Sequence, residues 1–129
     1  MRAEELKGHL DAVLLAALEG GPRHGYAVIE ALRQSTGGQL DLPTGTIYPA
    51  LRRLEQAGLI AGTWSVVGGR RRREYRLTPA GVRALSGRRA AWRDFSATVT
   101  AALESAALVN ATLENAALED TACPSPNPA

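Results

Sequence analysis

A mainly α-helical chain with a small β-hairpin, ordered as three short helices, a hairpin and one long helix, is the fold class this sequence predicts. Three observations carry it. Apolar residues recur at helical spacing in three segments that end at glycine breaks, the last at Gly58. The period then shortens to about two on either side of Gly68-Gly69. After Thr78-Pro79 a helical stripe resumes and runs for about seven turns.

The first helix spans Leu6 to Leu18, with Leu10, Val13, Leu14, Leu15 and Leu18 on one face, and stops at Gly20-Gly21-Pro22. Tyr26, Val28, Ile29 and Leu32 form a second helix, closed by Thr36-Gly37-Gly38, where glycine takes the left-handed conformation that ends helices. The third runs from about Thr44 to Ala57, with Ile47, Ala50, Leu51 and Leu54 inward and Gly58 as its stop. Pro49 is expected early in that helix, where a missing N–H costs least. Leu59, Ile60, Trp64, Val66 and Val67 lead into the glycine turn, and Arg73, Tyr75 and Leu77 leave it, as a hairpin. Thr78 and Pro79 suit the N-cap and first position of a fourth helix, whose stripe is Val82, Leu85, Trp92, Phe95, Val99 and Leu103.

Beyond that stripe, Leu103-Glu-Ser-Ala-Ala-Leu108 reappears ten residues later as Leu113-Glu-Asn-Ala-Ala-Leu118. Alanine favours helix, but ten residues is not a whole number of turns, so the leucine pairs do not share a face. The organisation expected is a winged helix-turn-helix over 1–78, a dimerisation helix with a helical extension over 79–119, and a disordered tail over 120–129.

With 129 residues and 45% hydrophobic content, the chain can build one core and one further element. No run approaches the roughly 18 apolar residues of a membrane span, and the N-terminal residues lack a signal-peptide pattern, so a cytoplasmic location is expected. One cysteine, Cys123, and two histidines exclude an intrachain disulfide and give no chelating spacing, so neither metal nor cofactor is expected. No nucleophile, base and orienting group occur in a catalytic arrangement, so no enzyme is expected.

The net charge of +2 conceals a strong asymmetry. Residues 23 to 93 hold 13 arginines against four acids, and residues 94 to 129 hold five acids and no lysine or arginine. Guanidinium groups bind phosphate oxygens in bidentate fashion, and four in a row, Arg70 to Arg73, repel one another unless a polyanion relieves them. Placed at a hairpin tip after three helices, they fall at the wing of a winged helix-turn-helix, in which the third helix enters the major groove of double-stranded DNA. Thr44, Thr46, Tyr48, Arg52 and Arg53 lie away from the apolar stripe of that helix and supply hydroxyl and guanidinium donors, and Pro49 is a further candidate contact among them. His24, Gly25 and Tyr26 open the second helix, where backbone N–H groups can meet a phosphate, although Tyr26 suits the core equally well.

His24-Gly25-Tyr26, the run from Gly45-Thr46-Ile47-Tyr48-Pro49 to Glu55, Gly58-Leu59-Ile60, Trp64, Gly69-Arg70-Arg71 and Tyr75-Arg76-Leu77-Thr78-Pro79-Ala80-Gly81 together resemble the PadR family of bacterial transcriptional regulators. The resemblance covers about residues 6 to 103. It implies a homodimeric DNA-binding protein, usually a repressor, whose C-terminal helix pairs with the partner's first helix. A single short C-terminal helix is similar to the small subgroup that includes multidrug-responsive repressors. The arginine run is one residue longer than that pattern, and the repeat and tail after Leu103 lie outside it.

A long amphipathic helix cannot bury its stripe on a domain of this size, so a second copy is the expected partner, giving an inverted-repeat operator. Trp92 resembles the tryptophan with which the subgroup stacks flat aromatic effectors. Leu85, Arg88, Arg89, Phe95 and Ser96 flank it by helical spacing, and His9, Asp11, Ala12 and Leu15 are candidate facing residues. The competing reading is that Trp92 packs the dimer core, in a DNA-binding regulator without any small-molecule effector.

Overall fold

The computed structural model describes residue 6 and residues 8–122. The elements are α1 (Leu10–Ala17), β1 (Arg23–His24), α2 (Gly25–Ser35), α3 (Thr44–Gln56), β2 (Ile60–Val67), β3 (Arg70–Leu77) and α4 (Pro79–Ala122). They build a mainly α fold with a three-stranded antiparallel sheet in the order β1-β3-β2. Packing divides the chain into two units, Met1–Arg89 and Ala90–Ala129.

In the first unit, Leu14, Leu15, Val28, Ile47 and Leu51 form the centre of a core closed by Ile60, Tyr75 and Leu85. Each element meets it through the stripe its sequence provides. α1 is shorter than the apolar spacing from Leu6 suggests, because Gly8 takes φ +89° and ends the preceding turn, in which His9 N–H donates to Leu6 O at 2.7 Å. Leu6 still reaches the core.

Glycines set the other boundaries. After α3, Gly58 has φ +77°, and the Leu59 and Gly58 amides donate back to the carbonyls of Leu54 and Glu55, which closes the helix in a Schellman arrangement. At the hairpin, Gly68 and Gly69 both have positive φ, as a two-residue type I′ turn requires. Pro49 departs from expectation. It is the sixth residue of α3, beyond the four N–H groups that lack helical partners anyway. The Gly45 carbonyl therefore has no N–H four residues on to accept from.

β1 has no counterpart in the sequence-based expectation. Arg23 and His24 pair with Tyr75 and Glu74 of β3, so the sheet has three strands and not a two-stranded hairpin alone. Two residues are too few to show a period.

α4 begins as Thr78-Pro79 predicts. The Thr78 hydroxyl accepts from Gly81 N–H at 3.0 Å and donates to Gly58 O at 2.7 Å, so one residue caps α4 and ties it to the end of α3. The first turns of α4 belong to the first unit. Leu85 is in the core, Arg88 donates to Gly8 O at 3.2 Å, and Arg89 makes two bonds of 2.7 Å to Glu19. That hydrogen-bonded guanidinium holds the Glu19 carboxyl below its ordinary range. In the second unit the helix runs through both leucine repeats to Ala122, so residues 120 to 122 are helical where a disordered tail was expected. The rest of that tail lies outside the described residues.

Candidate nucleic-acid interface

On α3, burial follows the apolar stripe and leaves the opposite face open. Ile47, Ala50, Leu51 and Leu54 are buried, while Thr44, Gly45, Tyr48, Pro49, Arg52 and Arg53 are exposed and Thr46 is half-exposed. The hydroxyl and guanidinium donors named from the sequence are thus on one helix and turned outward.

They are not equivalent. Arg53 Nη2 donates to Asp11 Oδ1 at 2.8 Å, which ties α3 to the first turn of α1. Among the described residues Arg52 makes no such tie. Tyr48 keeps two-fifths of its surface exposed while its ring lies over Gly25, where an added Cβ would sit 2.4 Å from Cε1. Any side chain at position 25 would therefore push the ring off the start of α2.

At that start, the His24 side chain is already used. Its Nδ1 accepts from Ala27 N–H at 3.1 Å and caps α2, and Gly25 is buried beneath Tyr48. Tyr26 is 61% exposed, so it belongs to the surface and not to the core. With Arg23, His24 and Glu30 it borders an open groove along α2.

The arginine run is divided by the pleat of β3. Side chains alternate along a strand, so Arg71 and Arg73 share the face of Trp64, and Arg70 and Arg72 take the other. Arg71 and Arg73 place their guanidinium carbons 4.5 and 5.3 Å from the Trp64 ring centroid. Arg70, Arg71 and Arg72 are exposed. Arg73 is half-buried and paired with Glu55 of α3, which raises its pKa further above an already permanent charge. Burial first, and then the Glu55 carboxylate, hold the neighbouring Tyr75 phenol above its usual range. Of the four arginines, three are therefore presented outward and one is used within the fold.

The sequence does not point to Asp11 and Glu55 as partners of Arg53 and Arg73: Asp11 stands there as a candidate effector residue, and Glu55 only as part of a motif. Asp11 and Glu55 stand 42 and 18 residues away from them, beyond any local spacing. Trp64 was placed on the hairpin, but its role as a shelf for two guanidinium groups follows only from strand register.

The residues named for an effector fall in both units. In the first, Leu15 and Leu85 are spent on the core, Asp11 holds Arg53, Arg88 and Arg89 bind Gly8 O and Glu19, Ala12 is half-buried and His9 is exposed. In the second, Trp92 and Phe95 are more than half exposed, with ring centroids 6.0 Å apart at 35°, and Ser96 Oγ donates to Arg93 O. No described helix is long and apolar enough to cross a membrane.

Residues 14–87 match the model of the transcriptional regulator PadR-like family. Over 77 residues the chain is 42% identical to the transcriptional regulator Rv3488 of Mycobacterium tuberculosis, covering 60% of this chain and 59% of that protein. It thus spans about three fifths of that relative. A crystal structure of a PadR family transcriptional regulator from Eggerthella lenta superposes with a TM-score of 0.70 at 34% identity, covering 78% of this chain and 87% of the other. A transcriptional regulator from Clostridium thermocellum gives the same TM-score at 26% identity, covering 76% and 96%.

Proposed function

The chain belongs to the PadR-like family of DNA-binding transcriptional regulators, and from that premise we propose that it is a repressor that binds an inverted-repeat operator as a homodimer. The observation that carries this reading is the outward donor set of α3 beside the three outward arginines of the wing. Arg52, with Tyr48, Thr44, Thr46 and Pro49 around it, reads base edges in the major groove. Arg70, Arg71 and Arg72 hold phosphates, which carry affinity and no sequence information. Arg53, steadied by Asp11, is a backbone contact. Trp92, Phe95, Val99 and Leu103 are exposed along α4 at helical spacing, and a second copy of the chain covers them.

Fluorescence anisotropy on duplexes from the gene's own upstream region, against scrambled duplexes of the same composition, tests the reading. The protein is expected to prefer an upstream duplex, with two chains per site and salt-sensitive affinity. Substituting Arg52→Ala is expected to cost the upstream duplex about tenfold and the scrambled one little, since a bidentate base contact discriminates by roughly 1–3 kcal/mol. Equal binding to both duplexes by the wild type would remove the operator claim.

We further propose that a flat aromatic molecule, stacked on Trp92 near Phe95, releases the operator by favouring a dimer whose recognition helices no longer match the half-site spacing. In a Trp64→Phe background, where Trp92 is the one remaining indole, a planar acridine dye is expected to quench emission in a saturable way and to lower DNA affinity. Emission that does not change leaves Trp92 as dimer core in a constitutive DNA binder.

A further inference from the structure

Glu55 poses a problem for a DNA-binding surface. It is a carboxylate on the recognition helix, one turn beyond Arg52, and a negative charge beside a polyanion opposes binding. Its contacts turn inward. Glu55 Oε2 accepts from the Gly62 N–H of β2 at 3.2 Å and from Arg73 of β3. β2 is an edge strand, so Glu55 serves one of the amides that its ladder leaves over. Gly62 makes room for the pair, since an added Cβ there would stand 2.7 Å from Arg73 Nε and 2.9 Å from Glu55 Oε2. From Arg73 the contacts continue outward, to the Trp64 ring and from that ring to Arg71. An unbroken series of contacts thus joins the recognition helix to an arginine of the wing.

We propose that Glu55 and Arg73 are a positioning pair that fixes the wing against the recognition helix, so that DNA affinity depends on a carboxylate that touches no phosphate. The proposal rests on the DNA-binding reading above. It differs from a simple stabilising role because both side chains are about a third exposed, and ion pairs at that exposure contribute little to stability. It also removes Arg73 from the set of phosphate contacts to which the sequence assigns it.

Charge and position pull in opposite directions in Glu55→Gln, which is the test. The variant keeps an acceptor for Gly62 and makes the protein one unit more positive, so charge alone predicts tighter binding. Positioning predicts weaker binding, by about fivefold, a typical coupling for residues in one network. Anisotropy is read on the upstream and scrambled duplexes for wild type, E55Q, R73Q and the double variant, with melting followed by circular dichroism. The expected result is that E55Q, R73Q and the double variant lose affinity to a similar extent, because each breaks the same link. E55Q binding as tightly as wild type or tighter overturns the proposal. So does R73Q costing the same with and without Glu55, which makes Arg73 a direct phosphate contact. Should E55Q melt below the assay temperature, R73K carries the test, since it keeps the charge but not the guanidinium plane. Loss in R73K supports positioning, and wild-type affinity refutes it. Failure of the wild type to bind either duplex counts against the DNA-binding reading itself and is thereby distinguished.

Discussion

Replacing Arg70, Arg71 and Arg72 together by alanine is expected to lower affinity for every duplex by about two to three powers of ten near 0.1 M salt. The size follows from counterion release. Each neutralised phosphate adds about 0.9 to the slope of log affinity against log salt, so three lost contacts flatten that slope by roughly 2 to 3. These three are chosen because they are exposed and show no carboxylate partner among the described contacts, whereas Arg73 is paired with Glu55. Folding is expected to be unaffected, because none of the three contributes to the core. The ratio of upstream to scrambled affinity should survive, since phosphate contacts position the protein without reading bases. A titration across salt concentrations checks all of this, and an unchanged slope would mean that the wing stays off the backbone.

The same alternation of β3 that divides the arginines explains what the sequence reveals and what it hides. Helix ends and the hairpin turn are legible because single residues impose them: Gly58, Gly68 and Gly69 adopt positive φ, and Thr78 caps α4. The outward face of α3 is legible because Ile47, Ala50, Leu51 and Leu54 define its opposite. The start of α1 is not, since the apolar spacing from Leu6 continues across Gly8 while the backbone there turns left-handed. β1 escapes because its two residues gain strand character only from the edge of β3. Composition exposes the arginines as a basic cluster but cannot divide them, because the carboxylates that claim Arg53 and Arg73 arrive from α1 and α3 through tertiary folding. Local chemistry thus shows which residues suit phosphate, and only the fold shows which are still free to meet it.

Two glycines of α4 test how firmly that helix is seated, because alanine should act on them with opposite sign. At Gly81 an added Cβ would fall 1.9 Å from Leu59 O and 3.3 Å from Leu77 Cδ2. The obstacle is backbone, and that same carbonyl accepts from Thr78 N–H at 3.1 Å, so it cannot move without breaking the junction between α3, β2 and α4. Gly81→Ala is therefore expected to destabilise by roughly 3 kcal/mol or more, at the upper end of overpacking. For a domain of this size that is a fall in melting temperature of about 12 °C or more. At Gly87, two turns on in the same helix, nothing lies within 4 Å of the built Cβ. Gly87→Ala is expected to stabilise by about 1 kcal/mol, the helix propensity difference between the two residues. Thermal melts of both variants at one protein concentration make the comparison, the concentration being fixed because the proposed dimer would add to apparent stability. A Gly81→Ala protein that melts like the wild type would show that the start of α4 slides freely over Leu59, and the wing would then lose its rigid base. The opposite signs, if found, locate the rigidity of the DNA-binding unit in the Gly58-Leu59-Thr78-Gly81 junction and not in helix propensity.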